Sequence, residues 1–195
     1  MHPPFLRSPY TSVLTVAYAA WVVPEVADAL RRDDDGPDLD ANSRSVLYAA
    51  IGVAVGTAIG LGFLAPAWAT LGALAVPAFW IGVLLMLVGV ALRWYSVGVL
   101  GDAFARSVTV SGSQGVVDTG PYAVVRHPSY AGSLLTFVGL ALALGTWPGL
   151  VVCPPVAGLG YAYRIGVEER ALRRELDGYD EYCERTPHRL VPGVY

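Results

Sequence analysis

The stretch PSYAGSLLTFVGLALALGTWPGLVVCPPVAGLGYAY, residues 128–163, runs for 36 positions without a charged residue. As one helix it would be about 54 Å long, whereas the hydrocarbon core of a bilayer is about 30 Å thick. Near its middle, GTWPG at residues 145–149 combines glycine and proline, which interrupt helices. The stretch therefore predicts two membrane-spanning helices joined by a tight turn.

Two more charge-free runs lie upstream, at residues 45–64 and 67–92. Runs of roughly 18 or more apolar residues are typical of transmembrane helices. Residues 10–30 are apolar over most of their length, and we interpret them as a retained span in preference to a cleaved signal peptide. Charged residues make up 15% of the chain, against about 25% in soluble domains. The sequence predicts an all-α integral membrane protein with about five transmembrane helices.

Arginine predicts the orientation of this bundle, because the chain contains 13 arginines and no lysine. Five spans would place only Arg7 on one side of the membrane. The arginines on the other side are residues 31, 32, 44, 93, 106, 126, 164, 170, 173, 174, 185 and 189. Since cationic residues are enriched in cytoplasmic segments, we expect a cell-membrane protein with its N-terminus outside and its C-terminus in the cytoplasm. The glycine-rich loop within 93–128 and a C-terminal helix would then be cytoplasmic.

Small residues and cysteines indicate packing rather than chemistry. Gly52, Gly56 and Gly60 recur every four residues in the second span, a spacing that predicts close helix packing in lipid. Cys153 falls in the fifth span and Cys183 in the tail, so we expect no disulfide between them. No cluster of residues at metal-ligand spacing surrounds the histidines, so no metal is expected.

The start of the fourth span has the features of an anion site. Pro128 suits the first turn of a helix, and a helix N-terminus attracts carboxylates and phosphates. Arg126 and His127 add hydrogen-bond donors at the same point. The alternative is that these residues only anchor the end of the span at the interface.

A second polar pair lies where the fifth span leaves the membrane. Arg164 and Glu168 are four residues apart and share one helix face. Arginine can hold a carboxylate through two hydrogen bonds, and a glutamate can accept hydrogen bonds from a ligand. The alternative is a charged juxtamembrane helix whose side chains are merely solvated.

Taken together, three segments closely resemble the isoprenylcysteine carboxyl methyltransferase family, within a wider group that includes the membrane phospholipid methyltransferases. They are GVVDTGPYAVVRHPSYAG at 115–132, RIGVEERAL at 164–172 and YDEYCERTPHRLVPG at 179–193. The resemblance covers roughly residues 80–195. It implies a division into an N-terminal three-helix membrane region, 1–92, and a catalytic region, 93–195, containing the loop, a two-helix hairpin and the C-terminal helix.

The resemblance also implies roles for individual residues. Arg164 would face the substrate carboxylate and, with Glu168, form the catalytic pair. The spacing before the first tyrosine of the tail is one residue shorter than in the family, so roles for Tyr179 and Tyr182 stay open. The residues implied to contact S-adenosylmethionine are Gln114, Gly115, Val116, Val117, Tyr122, His127, Pro128, Ser129, Tyr130 and Glu168.

The expected activity is therefore methyl transfer from S-adenosylmethionine, with S-adenosylhomocysteine as product. The expected acceptor is a carboxylate on an isoprenoid-linked, prenylated or other lipidic molecule that arrives through the bilayer. No nucleic-acid partner is expected, and the oligomeric state is open. The alternatives are N-methylation of a phospholipid or other lipid amine, and an NADPH-dependent reduction of the sterol-reductase type.

Overall fold

A computed structural model describes residues 4–31, 41–101 and 115–194. Across these residues the chain forms six α-helices, connected by turns and short 3₁₀ helices, and no β-strand. The all-α prediction is thus confirmed for the part described. The helices are α1 (Tyr10–Arg31), α2 (Ala41–Leu64), α3 (Ala75–Leu100), α4 (Pro128–Ala143), α5 (Trp147–Glu175) and α6 (Tyr179–Arg185).

Three stretches of the described residues are long and apolar enough to cross a membrane: Asn42–Leu64, Gly72–Leu100 and Trp147–Glu175. They correspond to the second, third and fifth predicted spans. The first predicted span is a helix of 22 residues, α1. The fourth, α4, has 16 residues and is about 24 Å long at 1.5 Å per residue. The full count of five spans stays a prediction.

The tight turn predicted within residues 145–149 separates α4 from α5. Gly145 has φ +72°, a left-handed conformation that glycine adopts without a β-carbon penalty. Its carbonyl accepts a 2.9 Å hydrogen bond from the Leu71 N–H, which ties the turn to the α2–α3 connection. The third charge-free run, residues 67–92, differs from the helix at both ends: residues 67–74 contain two 3₁₀ turns, and α3 continues beyond Leu92 to Leu100.

Helices α3 and α4 are in direct backbone contact through two pairs of glycines. A β-carbon at Gly82 would lie 2.5 Å from the Gly139 carbonyl oxygen, and one at Gly139 would lie 2.5 Å from that of Gly82. Gly89 and Gly132 face each other in the same way, at 2.5 and 2.6 Å. Such distances exclude any side chain, so small residues allow this approach. The start of α4 is therefore held rigidly against α3.

The close packing predicted for Gly52, Gly56 and Gly60 is wrong. A β-carbon at any of these positions would meet no atom of the described residues within 4 Å. Helix α2 instead packs on α5 through its other face, where a β-carbon at Gly160 would lie 2.7 Å from the Ala50 β-carbon. The spacing of small residues alone did not indicate which face is buried.

The helices run alternately up and down, so the chain brings distant segments to the same end of the bundle. One end contains the starts of α2 and α4, the end of α3 and the charged half of α5; we call it the arginine end, marked by Ser43, Arg93, His127 and Glu168. Arg7 lies at the opposite end, close to the α4–α5 turn. The grouping of the described arginines follows the predicted one, while the side of the membrane stays a prediction. The predicted division at residues 92 and 93 also stays a prediction.

Candidate functional site

The site is built around the first turn of α4. Pro128 is the first residue of that helix and His127 precedes it, with φ −125° and ψ 58°. Tyr130 and Ala131 donate their N–H groups to the His127 carbonyl at 3.1 Å. The prediction that α4 begins at Pro128 is confirmed. His127 is buried, and its ring lies parallel to that of Tyr130, with centroids 5.5 Å apart.

Glu169, a residue that the sequence analysis did not single out, is the centre of an ionic cluster. Its side chain is 3% exposed. Arg126 Nε donates to Oε1 at 2.8 Å, His127 Nε2 lies 3.3 Å from the same oxygen, and Arg189 Nη2 donates to Oε2 at 2.8 Å. We call these four residues the Glu169 cluster.

Arg126 therefore has a different partner from the one that the sequence suggested. Its guanidinium donates through Nε to Glu169 Oε1 at 2.8 Å and through Nη1 to the Thr186 carbonyl at 2.7 Å. Arg126 is 9% exposed. An arginine buried to this extent needs a charged partner and further acceptors, and the cluster supplies both.

The C-terminal tail is attached to the same turn through its backbone. Arg126 donates its N–H to the His188 carbonyl at 2.9 Å, and His127 donates to the Arg189 carbonyl at 2.8 Å. Together with the Glu169 cluster, these bonds fold the tail over the start of α4. Residues more than 60 positions apart thus form one wall.

Glu168 faces a different environment from its neighbour. The Tyr130 hydroxyl donates to Glu168 Oε2 at 2.7 Å, and Arg164 Nε lies 3.8 Å from the same oxygen. Arg164 is buried and also donates from Nη1 to the Ser43 hydroxyl of α2 at 2.7 Å. His127, Tyr130, Glu168 and Arg164 consequently form a continuous row across α4 and α5 at the arginine end.

The tyrosines of the tail support the loop that precedes α4. Tyr182 donates its hydroxyl to the Tyr122 carbonyl at 2.7 Å, and Tyr122 donates to the Ser96 carbonyl of α3 at 3.3 Å. Burial raises the pKa values of Tyr122, Tyr179 and Tyr182, so these phenols stay neutral donors. Tyr179 and Tyr182 are both buried, which gives them a structural role in positioning this loop.

The other described residues implied by the resemblance lie in the first turn of α4 or in the segment that leads to it. Ser129 is buried in the first turn of α4. Gly115, Val116 and Val117 precede Asp118, which is paired with Arg185 of α6 at 2.9 Å. Gln114 lies outside the described residues. Among those described, no group of three or more His, Cys, Asp or Glu side chains could hold a metal ion.

Glu169, Arg189 and Ser43 were missed because no sequence spacing links them to their partners. The doublet at 168–169 shows two adjacent carboxylates, but helix geometry places them about 100° apart around the axis. Only the packing of α5 decides which one faces the tail. The excess of arginine over other cations was the sole hint of a buried ionic cluster.

A family model described as phospholipid methyltransferase matches residues 77–177 of the chain. The matched segment contains all but the first two residues of α3, the loop before α4, α4 itself and all of α5. It thus includes His127, Tyr130, Arg164 and Glu168, which form the row at the arginine end.

Three curated proteins are similar to about half of the chain. The nickel-cobalt-cadmium resistance protein NccN of Alcaligenes xylosoxydans xylosoxydans is 32% identical over 100 residues, 47% of each chain. A delta(14)-sterol reductase of Mus musculus is 33% identical over 93 residues, 45% of this chain and 21% of the reductase. Protein-S-isoprenylcysteine O-methyltransferase B of Arabidopsis thaliana is 29% identical over 109 residues, 54% of this chain and 55% of the plant protein. The matches thus span between a fifth and about half of these relatives.

Proposed function

The chain belongs to the phospholipid methyltransferase family, and on this premise we propose that it is a membrane-embedded methyltransferase that uses S-adenosylmethionine. We propose that it O-methylates a carboxylate on an isoprenoid-linked or other lipidic acceptor. The observation that supports this most is the row of His127, Tyr130, Glu168 and Arg164 at one end of the bundle. We place this end on the cytoplasmic face of the cell membrane, where the cofactor is dissolved.

The side chains of the row fit the polar groups of S-adenosylmethionine. The cofactor carries ribose hydroxyls and an ammonium group, which are donors, and Glu168 is a carboxylate acceptor. Both contacts that the described residues make with Glu168 use Oε2, so Oε1 can accept from a ligand. The stacked rings of His127 and Tyr130 supply an aromatic wall, which suits an adenine base or a sulfonium cation.

When bound, the cofactor supplies an electrophilic methyl group on a cationic sulfur. In the transfer, the acceptor oxygen would form a bond to the methyl carbon as the carbon–sulfur bond broke, and the electron pair of that bond would stay on sulfur. A carboxylate acceptor is already deprotonated, so the residues of the site need not remove a proton. Their contribution is orientation and proximity of the two reactants, in a site with little water that strengthens the attraction between cation and anion.

Arg164 favours a carboxylate over an amine as the methyl acceptor. A guanidinium can hold a carboxylate through two parallel hydrogen bonds, whereas an ammonium group would be repelled by it. Arg164 is buried between α2 and α5, and we propose that the lipidic acceptor enters between these helices from the bilayer. N-methylation of a lipid amine is the alternative within the same family.

The sterol reductase relative supports a second candidate from another class, an NADPH-dependent reduction. That similarity covers 21% of the reductase. Binding measurements on the purified protein in detergent separate the two. We expect S-adenosylhomocysteine to bind and NADPH to leave the heat signal unchanged; binding of NADPH without S-adenosylhomocysteine would overturn the proposal.

Transfer of a radiolabelled methyl group from S-adenosylmethionine into a total lipid extract tests the reaction itself. We expect base to release the label as volatile methanol, since hydrolysis frees the methyl group of an ester and leaves a methyl group on nitrogen in place.

Arg164→Ala should reduce the rate at least about hundredfold while cofactor affinity changes little, because the transition state loses about 3 kcal/mol of stabilisation from the oriented carboxylate. Arg170→Ala, an exposed arginine on the same helix, is the matched control and should retain the wild-type rate.

A further inference from the structure

An ion pair outside the Glu169 cluster joins α1 to α3. Arg93 Nε donates to Glu25 Oε1, and Arg93 Nη2 donates to Glu25 Oε2 at 2.6 Å. Both carboxylate oxygens are thus held by the two parallel N–H groups of one guanidinium. The side chains are 13% exposed for Arg93 and 27% for Glu25. Glu25 lies outside the segment matched by the family model.

The ion pair adjoins the candidate site through the backbone of α3. A β-carbon at Gly132 would lie 2.7 Å from the Arg93 backbone nitrogen, so the α3 backbone at Arg93 touches α4 half a turn beyond Tyr130. The Tyr130 hydroxyl donates to Glu168 at 2.7 Å. Arg93 is therefore separated from the row of site residues by a single helix contact.

Helix packing alone does not account for a charged pair at this depth. An ionised side chain within a membrane helix costs several kcal/mol, and a buried ion pair is often no more stabilising than apolar residues of the same size. Helix α1 already has apolar contacts with α3 and α4, through the edge-to-face ring pairs Tyr10–Phe79 and Trp21–Phe137. We therefore look for a role of the Arg93–Glu25 ion pair other than holding α1 against α3.

We propose that Glu25 is an internal substitute for the acceptor carboxylate, which displaces it from Arg93 on entry, before Arg164 orients that carboxylate for methyl transfer. This inference rests on the proposed function and assigns Arg93 and Glu25 to acceptor selection. The bidentate geometry of the pair is the one in which arginine holds a carboxylate ligand. The carboxylate of an acid can replace that of Glu25 in the ion pair with Arg93. An ester or an alcohol cannot, because it has no negative charge.

Once displaced from Arg93, the Glu25 carboxylate can be solvated at the membrane interface. It is the more exposed partner, and it lies six residues before the end of α1 at Arg31, about 9 Å along the helix axis. From there a glutamate can turn toward the water of the membrane interface, as long polar side chains do near helix ends. When the acceptor carboxylate replaces that of Glu25, the Arg93 guanidinium keeps an anionic partner during the exchange.

The test compares a long-chain fatty acid with its methyl ester as probes, measured as Kd by fluorescence titration of the purified protein in detergent. Glu25→Gln removes the competing charge and keeps the shape of the side chain. We expect it to bind the acid about tenfold more tightly than wild type, the equivalent of one charge-assisted hydrogen bond, and the ester unchanged. Equal or weaker binding of the acid by Glu25→Gln would overturn the proposal.

A charge-swapped protein, Glu25→Arg with Arg93→Glu, distinguishes a role in binding the acid from a role in holding α1 against α3. It restores an ion pair between α1 and α3 but presents a carboxylate to the site. We expect wild-type thermal unfolding and loss of the preference for the acid; an acid affinity equal to wild type would mean that the pair is structural and the proposal wrong. Should the swap not fold, Arg93→Lys keeps the charge without the planar fork, and the same loss of acid preference is expected there.

Binding of S-adenosylhomocysteine, measured on each of these proteins, distinguishes the two proposals. If wild type does not bind S-adenosylhomocysteine, the proposed methyltransferase function fails whatever the fatty acid does. If it binds S-adenosylhomocysteine but Glu25→Gln does not bind the acid more tightly, only the assignment of Glu25 fails.

Discussion

Glu168 and Glu169 are adjacent carboxylates on α5 with opposite surroundings. Glu169 is 3% exposed and is contacted by Arg126, His127 and Arg189. Glu168 is contacted by the Tyr130 hydroxyl and lies near Arg164, both through Oε2. One carboxylate is enclosed by cations of the protein itself, and the other retains an oxygen for a ligand.

Glu169 therefore stabilises the structure around the site, whereas we propose that Glu168 binds the cofactor. The charge of Glu169 is used to hold the tail and the first turn of α4 together. The charge of Glu168 lies in the row that includes His127 and Arg164, where we propose that the cofactor and the acceptor bind. Substitution of Glu169 should therefore reduce stability, whereas substitution of Glu168 should reduce ligand binding.

The largest effect is expected for Glu169→Ala, as a loss of stability. Removing the carboxylate leaves Arg126 buried without its charged partner, which costs about 3–5 kcal/mol. Thermal or denaturant unfolding in detergent measures this loss. Glu168→Ala is the matched control, and equal destabilisation by the two substitutions would abolish the distinction drawn between the two carboxylates.

A smaller effect, on binding and not on stability, is expected for Glu168→Gln. The loss of a hydrogen bond to a charged group costs about 1.5–3 kcal/mol, so Kd for S-adenosylhomocysteine should rise about tenfold to hundredfold. Calorimetric titration gives this value. Glu175→Gln, at the exposed end of the same helix, should bind like wild type; an unchanged Kd in Glu168→Gln would remove Glu168 from the cofactor site.

The smallest effect is expected for Tyr130→Phe, which removes the hydroxyl that orients Glu168 and keeps the ring stacked on His127. One neutral donor contributes about 1 kcal/mol, so Kd for S-adenosylhomocysteine should rise about fivefold. Tyr163→Phe, an exposed tyrosine of α5, serves as the control. A change as large as that of Glu168→Gln would mean that the Tyr130 hydroxyl contacts the ligand directly.

Much of the helical architecture could be predicted from the sequence. Uncharged runs predicted α2, α3 and α5, the glycine and proline at 145–149 predicted the turn after α4, and Pro128 predicted where α4 begins. These features are local: they depend on chain length, hydrophobicity and the restricted backbone of two residue types. The glycine spacing in α2 is also a local feature, and it led to a wrong prediction of close packing because it does not indicate which helix lies opposite.

The site was predicted only in part, because its contacts join residues far apart in the chain. Motif residues such as His127, Tyr130 and Glu168 were expected to meet, and the structure brings them to one end. The partners of Arg126 and Arg93 could not be predicted, since Glu169, Thr186 and Glu25 lie 43, 60 and 68 positions away from them.

The sequence by itself determined that this chain forms apolar helices with its cationic residues gathered at one end, because the cost of placing charge in lipid acts on every segment independently. Only the tertiary structure decided which of two adjacent glutamates is enclosed and which is accessible. That choice depends on the rotation of α5 against α4 and the tail, and rotation is settled by packing between helices rather than by any single segment.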